Sequence, residues 1–204
     1  MKCRLVVLVF GLVAFGSTAL ADDSSHMYVG VDAGRSKMRQ DENVCNAEAA
    51  FSGATITDCK AKAWGYRAFV GYQFNPYLGM EGGYYDSGKF DFSGSAGAIG
   101  ANGDAHAKIG DLDAVGIIPL TDNFELFAKL GIARWLLEES MNAAVSSTAS
   151  EKGWSATVGV GANFWMTKWF GVRVEGQRYN SVGAGKTTGT TDIDFYSVGA
   201  VFRF

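Results

Sequence analysis

The chain has 204 residues, 48% hydrophobic, 13% aromatic and 19% charged, with 27 glycines, two prolines, three cysteines and a formal charge of −3. The acidic balance argues against nucleic acid as a partner, because binding a phosphate backbone takes a surplus of lysine and arginine. Beyond the first 21 residues no apolar run reaches the length of a transmembrane helix.

Residues 1–21 have the parts of a secretory signal. Lys2 and Arg4 give the charged start, Leu5 to Phe15 the apolar stretch, and Ala19-Leu20-Ala21 the small-x-small cleavage site. The apolar stretch is too short to anchor the chain in a bilayer. Cleavage would start the mature chain at Asp22 and remove two of the 18 basic residues and none of the 21 acidic ones, taking the formal charge from −3 to −5. One domain, 22–204, is expected from that length.

The first strand is expected from about His26 to Ser36. Met27, Val29, Val31 and Ala33 face out; Tyr28, Gly30, Asp32 and Gly34 face in. The polar stretch from Lys37 to Lys62 reads as a long loop. Residues 65–84 then read as two strands around Asn75-Pro76, where proline fixes φ and cannot continue a central strand. The period of two puts Phe74, Tyr72, Val70, Ala68, Tyr66 and Trp64 on one face and Gln73, Gly71, Phe69, Arg67 and Gly65 on the other. After the turn, Leu78, Met80, Gly82 and Tyr84 oppose Gly79, Glu81, Gly83 and Tyr85.

Phe90 to Ala105, rich in Gly, Ser and Ala, reads as the second long loop. The fourth strand, about His106 to Ile118, turns Leu112, Ala114, Gly116 and Ile118 outward and Asp111, Asp113, Val115 and Ile117 inward. Residues 119–123, starting at Pro119, read as a short turn. The fifth strand, Phe124 to Trp135, turns Glu125, Phe127, Lys129 and Gly131 inward. Leu136 to Lys152 reads as a third long loop with room for a helical turn. The sixth strand runs from about Gly153 to Met166, the short turn 167–169 follows, and the seventh strand, Phe170 to Asn180, points Arg173, Glu175 and Gln177 inward. The last long loop covers Ser181 to Thr190. In the final strand Tyr196, Val198, Ala200, Phe202 and Phe204 alternate with Ser197, Gly199, Val201 and Arg203.

A soluble β fold packs its apolar face inward and keeps charge outside. Here the apolar face is long and rimmed by aromatics, while the other face mixes glycine with single charges. That is the pattern of a strand with lipid outside and a narrow lumen inside. The expected fold is all-β: an eight-stranded antiparallel up-and-down transmembrane β-barrel. Short turns alternate with long loops, which places both termini in the periplasm and the long loops outside the cell. Trp165, Trp169, Tyr77 and Phe204 near the short turns, and Trp64, Tyr84 and Trp154 near the long loops, read as two aromatic girdles.

The hairpin 68–84 resembles the transmembrane domain of outer membrane proteins of the OmpA type. Supporting matches are Tyr28-Val29-Gly30, Pro119-Leu120-Thr121-Asp122, Leu130-Gly131, Trp135, Arg173-Val174-Glu175 and the closing Arg203-Phe204. The resemblance spans the strands and fails in the loops. It implies that Glu81 pairs with Arg173 and blocks the lumen. Two further charged positions of the family, a Lys and a Glu, fall near Val115 and Asn163, so the chain departs from the pattern there. It also implies that the terminal Phe204 is the signal read by the barrel-assembly machinery. Full-length members carry a periplasmic peptidoglycan-binding domain, and a chain ending at Phe204 is expected to lack that tether.

Cys45 and Cys59 share the first long loop, and the export route makes them an expected disulfide. In the chain-entropy account such a link is worth about 3 kcal/mol. The expected lumenal charges are Asp32, Arg67, Glu81, Lys129, Arg173 and Glu175, with Asp113 higher up. They read as a network that fills a narrow lumen; an ion path is the alternative. Acyl chemistry on lipid would need a base such as His beside a nucleophile. His26 sits at a strand start, and His106 lies near Asp104, Ser93 and Ser95, but neither is in a nucleophile motif. No catalytic residue, cofactor or metal ligand is therefore assigned. The functional expectation is a monomeric structural protein held by outer-membrane lipid and displaying its loops. The alternatives are adhesion or binding of a host or surface ligand through the loops, and a narrow channel of low conductance.

Overall fold

The computed structural model describes residues 25–39, 54–59, 62–96, 99–142, 147–183 and 191–204. Among these lie nine strands: β1 (His26–Met38), β2 (Ala54–Cys59), β3 (Lys62–Asn75), β4 (Leu78–Ala96), β5 (Ile99–Thr121), β6 (Phe124–Asn142), β7 (Ser147–Trp165), β8 (Phe170–Val182) and β9 (Thr191–Arg203). Every strand except β2 pairs antiparallel with both neighbours, and β1 with β9 shuts the ring from Tyr28↔Arg203 to Met38↔Ile193. The result is a closed eight-stranded up-and-down barrel, the architecture the alternation implies.

Each short turn is held by its own side chains. The Tyr77 amide donates to Asn75 Oδ1 at 2.9 Å, and the Phe170 amide donates to Thr167 Oγ1 at 3.0 Å. These local bonds replace ladder bonds where the chain reverses. Pro119 is not in the second turn as expected. It lies within β5, opposite Glu125, just before a register irregularity, and the turn shrinks to residues 122–123. A proline at such an irregularity costs little, because its missing N–H falls where the ladder is already broken.

The other end of the barrel departs further from expectation. Strands β4 to β7 run on for 19, 23, 19 and 19 residues, through most of what reads as loop. The stretch allowed a helical turn, Leu136 to Lys152, is strand on both sides of residues 143–146, with Leu137↔Glu151 and Met141↔Ser147 in register. The polar stretch 37–62 contributes β2, which pairs with the far half of β4. These four long strands are adjacent in the ring, and the other four, β8, β9, β1 and β3, have 13 or 14 residues. Among the described residues one side of the barrel is therefore tall and the other low.

The outer wall between the ends is apolar: Val29, Val31, Val70, Leu112, Leu130, Val160 and Val198 are exposed. Burying such a wall needs lipid. Trp64, Tyr84 and Trp154 stand exposed toward the long hairpins, and Tyr77, Trp169 and Phe204 at the short turns. Trp165 is a correction to that girdle. It points inward, 3% exposed, with the Arg203 guanidinium 4.0 Å above its ring. Its odd position in β7 shares a face with Asn163 and Gly161, so the alternation itself turns it away from lipid.

The interior is layered. Toward the short turns lie Tyr28, Phe69, Trp165 and Val201, with Val115, Ile117 and Phe127 alongside. Toward the long hairpins a larger apolar cluster includes Tyr85, Trp135, Tyr179 and Phe195. Tyr85 and Tyr179 stack with centroids 5.1 Å apart, and Phe195 lies 4.6 Å from Tyr85. The fully buried ion pairs lie in the layer between. The expected signal segment and Cys45 lie outside the described residues, and Cys59 ends β2.

Candidate functional site in the barrel interior

The middle layer is built around Glu81, which β4 turns inward and which has no exposure. Its Oε1 accepts from Arg67 Nη1 at 2.9 Å and Lys129 Nζ at 2.8 Å. Its Oε2 accepts from Arg173 Nη1 at 2.7 Å and the Tyr28 hydroxyl at 3.0 Å. Two acceptor oxygens thus take four donors, the full capacity of a carboxylate. The donors come from β3, β6, β8 and β1, so one side chain ties five strands across the lumen.

The donors are themselves engaged elsewhere. Arg67 Nη2 donates to Asp111 Oδ1 at 2.7 Å and lies 3.8 Å from Asp113. Lys129 also contacts Glu175, and Arg173 Nη1 lies 3.6 Å from the same carboxylate. Arg173 Nε donates to Asn163 Oδ1 at 2.9 Å, and its guanidinium sits 4.3 Å from the Phe69 ring and 4.5 Å from Phe127. Gln177 bridges Asp113 and Thr157 at 3.1 and 2.8 Å. The Tyr179 hydroxyl donates to Asp111 Oδ2 at 3.0 Å, which joins the charged layer to the aromatic one above.

Room for these side chains is made by glycine. At Gly71 a Cβ would fall on the Tyr28 ring, and at Gly83 on Arg67 and Asp111. What remains is small. A cavity of about 10 Å³, lined by Tyr28, Gln73, Phe127, Asn163 and Arg173 among others, adjoins the layer on the short-turn side. That is space for about one water molecule. The arrangement holds charge in place and closes the lumen.

Five of the six expected charges, Arg67, Glu81, Lys129, Arg173 and Glu175, join this cluster. Asp32 is buried in the same lumen, but neither of its carboxylate oxygens accepts a hydrogen bond among the described residues. Asp32→Asn is accordingly expected to change folding stability by less than about 1 kcal/mol, or to raise it, since an amide is cheaper to bury than a charge without hydrogen bonds. Equilibrium unfolding in urea measures this. Asp111 is a member of the cluster outside the six expected charges, although the alternation turns it inward two residues before Asp113. At Val115 the lumen is apolar, and at Asn163 an amide links Arg173 to Glu125. Lys129 and Glu175 supply charge instead. His106 pairs with Asp86 at 2.7 Å rather than with Asp104, whose carboxylate lies 3.9 Å from Lys89.

A closed antiparallel ring, apolar outside and filled inside by side chains that neutralise one another, defines a small transmembrane β-barrel. Residues 22–204 match the family described as the OmpA-like transmembrane domain. Outer membrane protein A of Klebsiella pneumoniae is 35% identical over 147 residues, covering 69% of this chain and 41% of that protein. The chain thus spans less than half the length of that curated relative. The fold is also that of Ail from Yersinia pestis, solved with a heparin analogue, at a TM-score of 0.53 and 15% identity over 89% of this chain and 98% of Ail. The N-terminal barrel of Pseudomonas aeruginosa OprF has a TM-score of 0.52 and 14% identity over 87% and 97% of the two chains. The chain belongs to the OmpA-like transmembrane domain family. It is an outer-membrane barrel whose interior is plugged by side chains.

Proposed function

We propose that this barrel is a structural, surface-displaying protein of the outer membrane and not an enzyme. The observation that carries this reading is the saturated Glu81 cluster, which leaves room for about one water beside it. Residues 1–21 act as the export signal, Phe204 as the assembly signal, and Cys45 and Cys59 form a disulfide. The termini lie in the periplasm, the long hairpins project from the cell, and the barrel works as a monomer. His106, already held by Asp86, takes no part in chemistry on lipid.

In planar bilayers the purified barrel is expected to give no steady unit conductance. Discrete current steps that change size in Arg173→Gln would replace this reading with a narrow channel. A second reading, binding of a surface ligand through the loops, is favoured by the height of β4 to β7, which carry ordered strand beyond the length of their neighbours. Ail, whose structure holds a heparin analogue, shares the architecture. Shortening the β4–β5 hairpin above Ser87 tests it: a barrel that still folds but loses attachment to host cells favours the ligand role.

A further inference from the structure

We infer that the low side of the barrel carries a binding site on its outer wall for the phosphate headgroup of an anionic membrane lipid. On β1 the outward positions near the long-hairpin end are Arg35 and Lys37, and Arg39 follows the strand. Lys62 opens β3 directly across from Lys37 in the ladder. Arg178 lies on the same outer face two strands away, in register with Asp194, which is in register with Lys37.

Five cations therefore crowd one rim, and among the described residues their acidic complement is small. Asp194 takes Arg178 at 2.6 Å and Arg39 at 3.2 Å, one carboxylate for two guanidinium groups. Asp192 uses its carboxylate to accept the Ser181 amide at 3.0 Å. Among the described residues no carboxylate lies within ion-pair distance of Arg35, Lys37 or Lys62. Like charges directly opposite each other destabilise a ladder. The Lys37↔Lys62 pair is such a contact, and an anion seated between the two would reverse its sign.

The position of the rim identifies the anion. Arg35, Trp64 and Tyr196 share one register level, with the Arg35 guanidinium 4.9 Å from the Trp64 ring. Trp64 and Tyr196 are more than half exposed on the apolar wall, as aromatics at a lipid–water boundary are. Lys37 and Lys62 stand two residues above that level, roughly 7 Å along the strand, at headgroup height. Below it the outer wall has a shallow depression of about 790 Å³, lined among others by Arg35, Trp64, Tyr196, Gly176, Val174 and Val160. Gly176 lies between Val160 and Tyr196 and presents no side chain, so an acyl chain fits beneath a phosphate held above. This placement, cation above aromatic above apolar depression, fits a lipid rather than a free anion.

The test uses the full chain refolded in micelles doped with equal amounts of phosphatidic acid and phosphatidylcholine, read by native mass spectrometry. The wild type is expected to retain phosphatidic acid over phosphatidylcholine by roughly tenfold or more, as several basic residues at an anionic surface imply. The triple variant Arg35→Gln, Lys37→Gln, Lys62→Gln should fall to near parity, and Lys37→Arg with Lys62→Arg should keep the preference. Lys152→Gln, on the tall side, should leave it unchanged. Gel mobility of each unboiled sample shows separately that the barrel has folded. A folded wild type at parity, a triple variant that keeps the preference, or displacement of the lipid by excess inorganic phosphate would each overturn the inference.

Discussion

Glu81→Gln is expected to lower the stability of the folded barrel by about 3–5 kcal/mol, the usual cost of removing one partner from a buried ion pair. The carboxylate faces four donors and no acceptor of its own. An amide at the same place has one oxygen to accept with and turns an NH2 group toward two of those donors. Arg67 and Lys129 keep Asp111 and Glu175, but Arg173 loses its only contact shorter than 3 Å to a carboxylate among the described residues. Arg173→Gln should cost less, because Glu81 retains Arg67, Lys129 and Tyr28. The measurement is the urea midpoint of reversible unfolding in lipid, read by the gel mobility of unboiled samples. A loss below about 1 kcal/mol for Glu81→Gln would mean that the hub is not what holds the lumen together.

Val70→Arg and Gly71→Ala are neighbours in sequence and are both expected to destabilise the barrel, through different media. Val70 lies mid-strand on the lipid face, 45% exposed between Trp64 and the turn at Asn75. An arginine there should cost about 2–4 kcal/mol near the bilayer midplane. That penalty should shrink in a thinner bilayer, where the side chain reaches the headgroups sooner. Gly71 faces the lumen, where the new methyl meets the Tyr28 ring and displaces a donor from Glu81. Its cost, about 1–3 kcal/mol for overpacking, should not depend on bilayer thickness. Refolding both variants into bilayers of two thicknesses checks the assignment of faces. Equal response to thickness would sink it.

The faces of the strands were legible because lipid outside and a narrow lumen inside impose opposite chemistries on alternate residues. Val70 beside Gly71, and Leu130 beside Lys129, follow directly. Glu81, Arg67 and Arg173 could be placed for the same reason. Their partners could not all be chosen, since alternation gives a residue's side but not its depth against strands far away in sequence. Asp111 lies 44 residues from Arg67 and meets it only because β4 and β5 pair in the register they do. The long ends of β4 to β7 read as loop in the sequence for a different reason. Above the bilayer no apolar medium demands an alternating hydrophobic face, so Ser, Gly and Ala can continue a ladder without announcing it. Leu136-Leu137-Glu138-Glu139 suggested a helical turn on local grounds, and cross-strand pairing with 149–152 prevailed. The cap of Tyr85, Tyr179 and Phe195 shows that the lumen is not polar throughout; single aromatics among inward glycines did not reveal that they meet.

The difference in height between the two halves of the ring has a consequence for anything moving along the membrane surface. Strands of 19 to 23 residues stand beside strands of 13 or 14, so among the described residues the tall half rises by five or more residues, roughly 17 Å of strand before tilt. A barrel of even height would look the same from every compass direction. Among the described residues this one has a front and a back: the side of β5 and β6 carries a parapet of strand, and the side of β9 and β1 carries the basic rim. The protein thereby acquires a heading within the plane of the membrane, and its lateral neighbours meet two different faces of it.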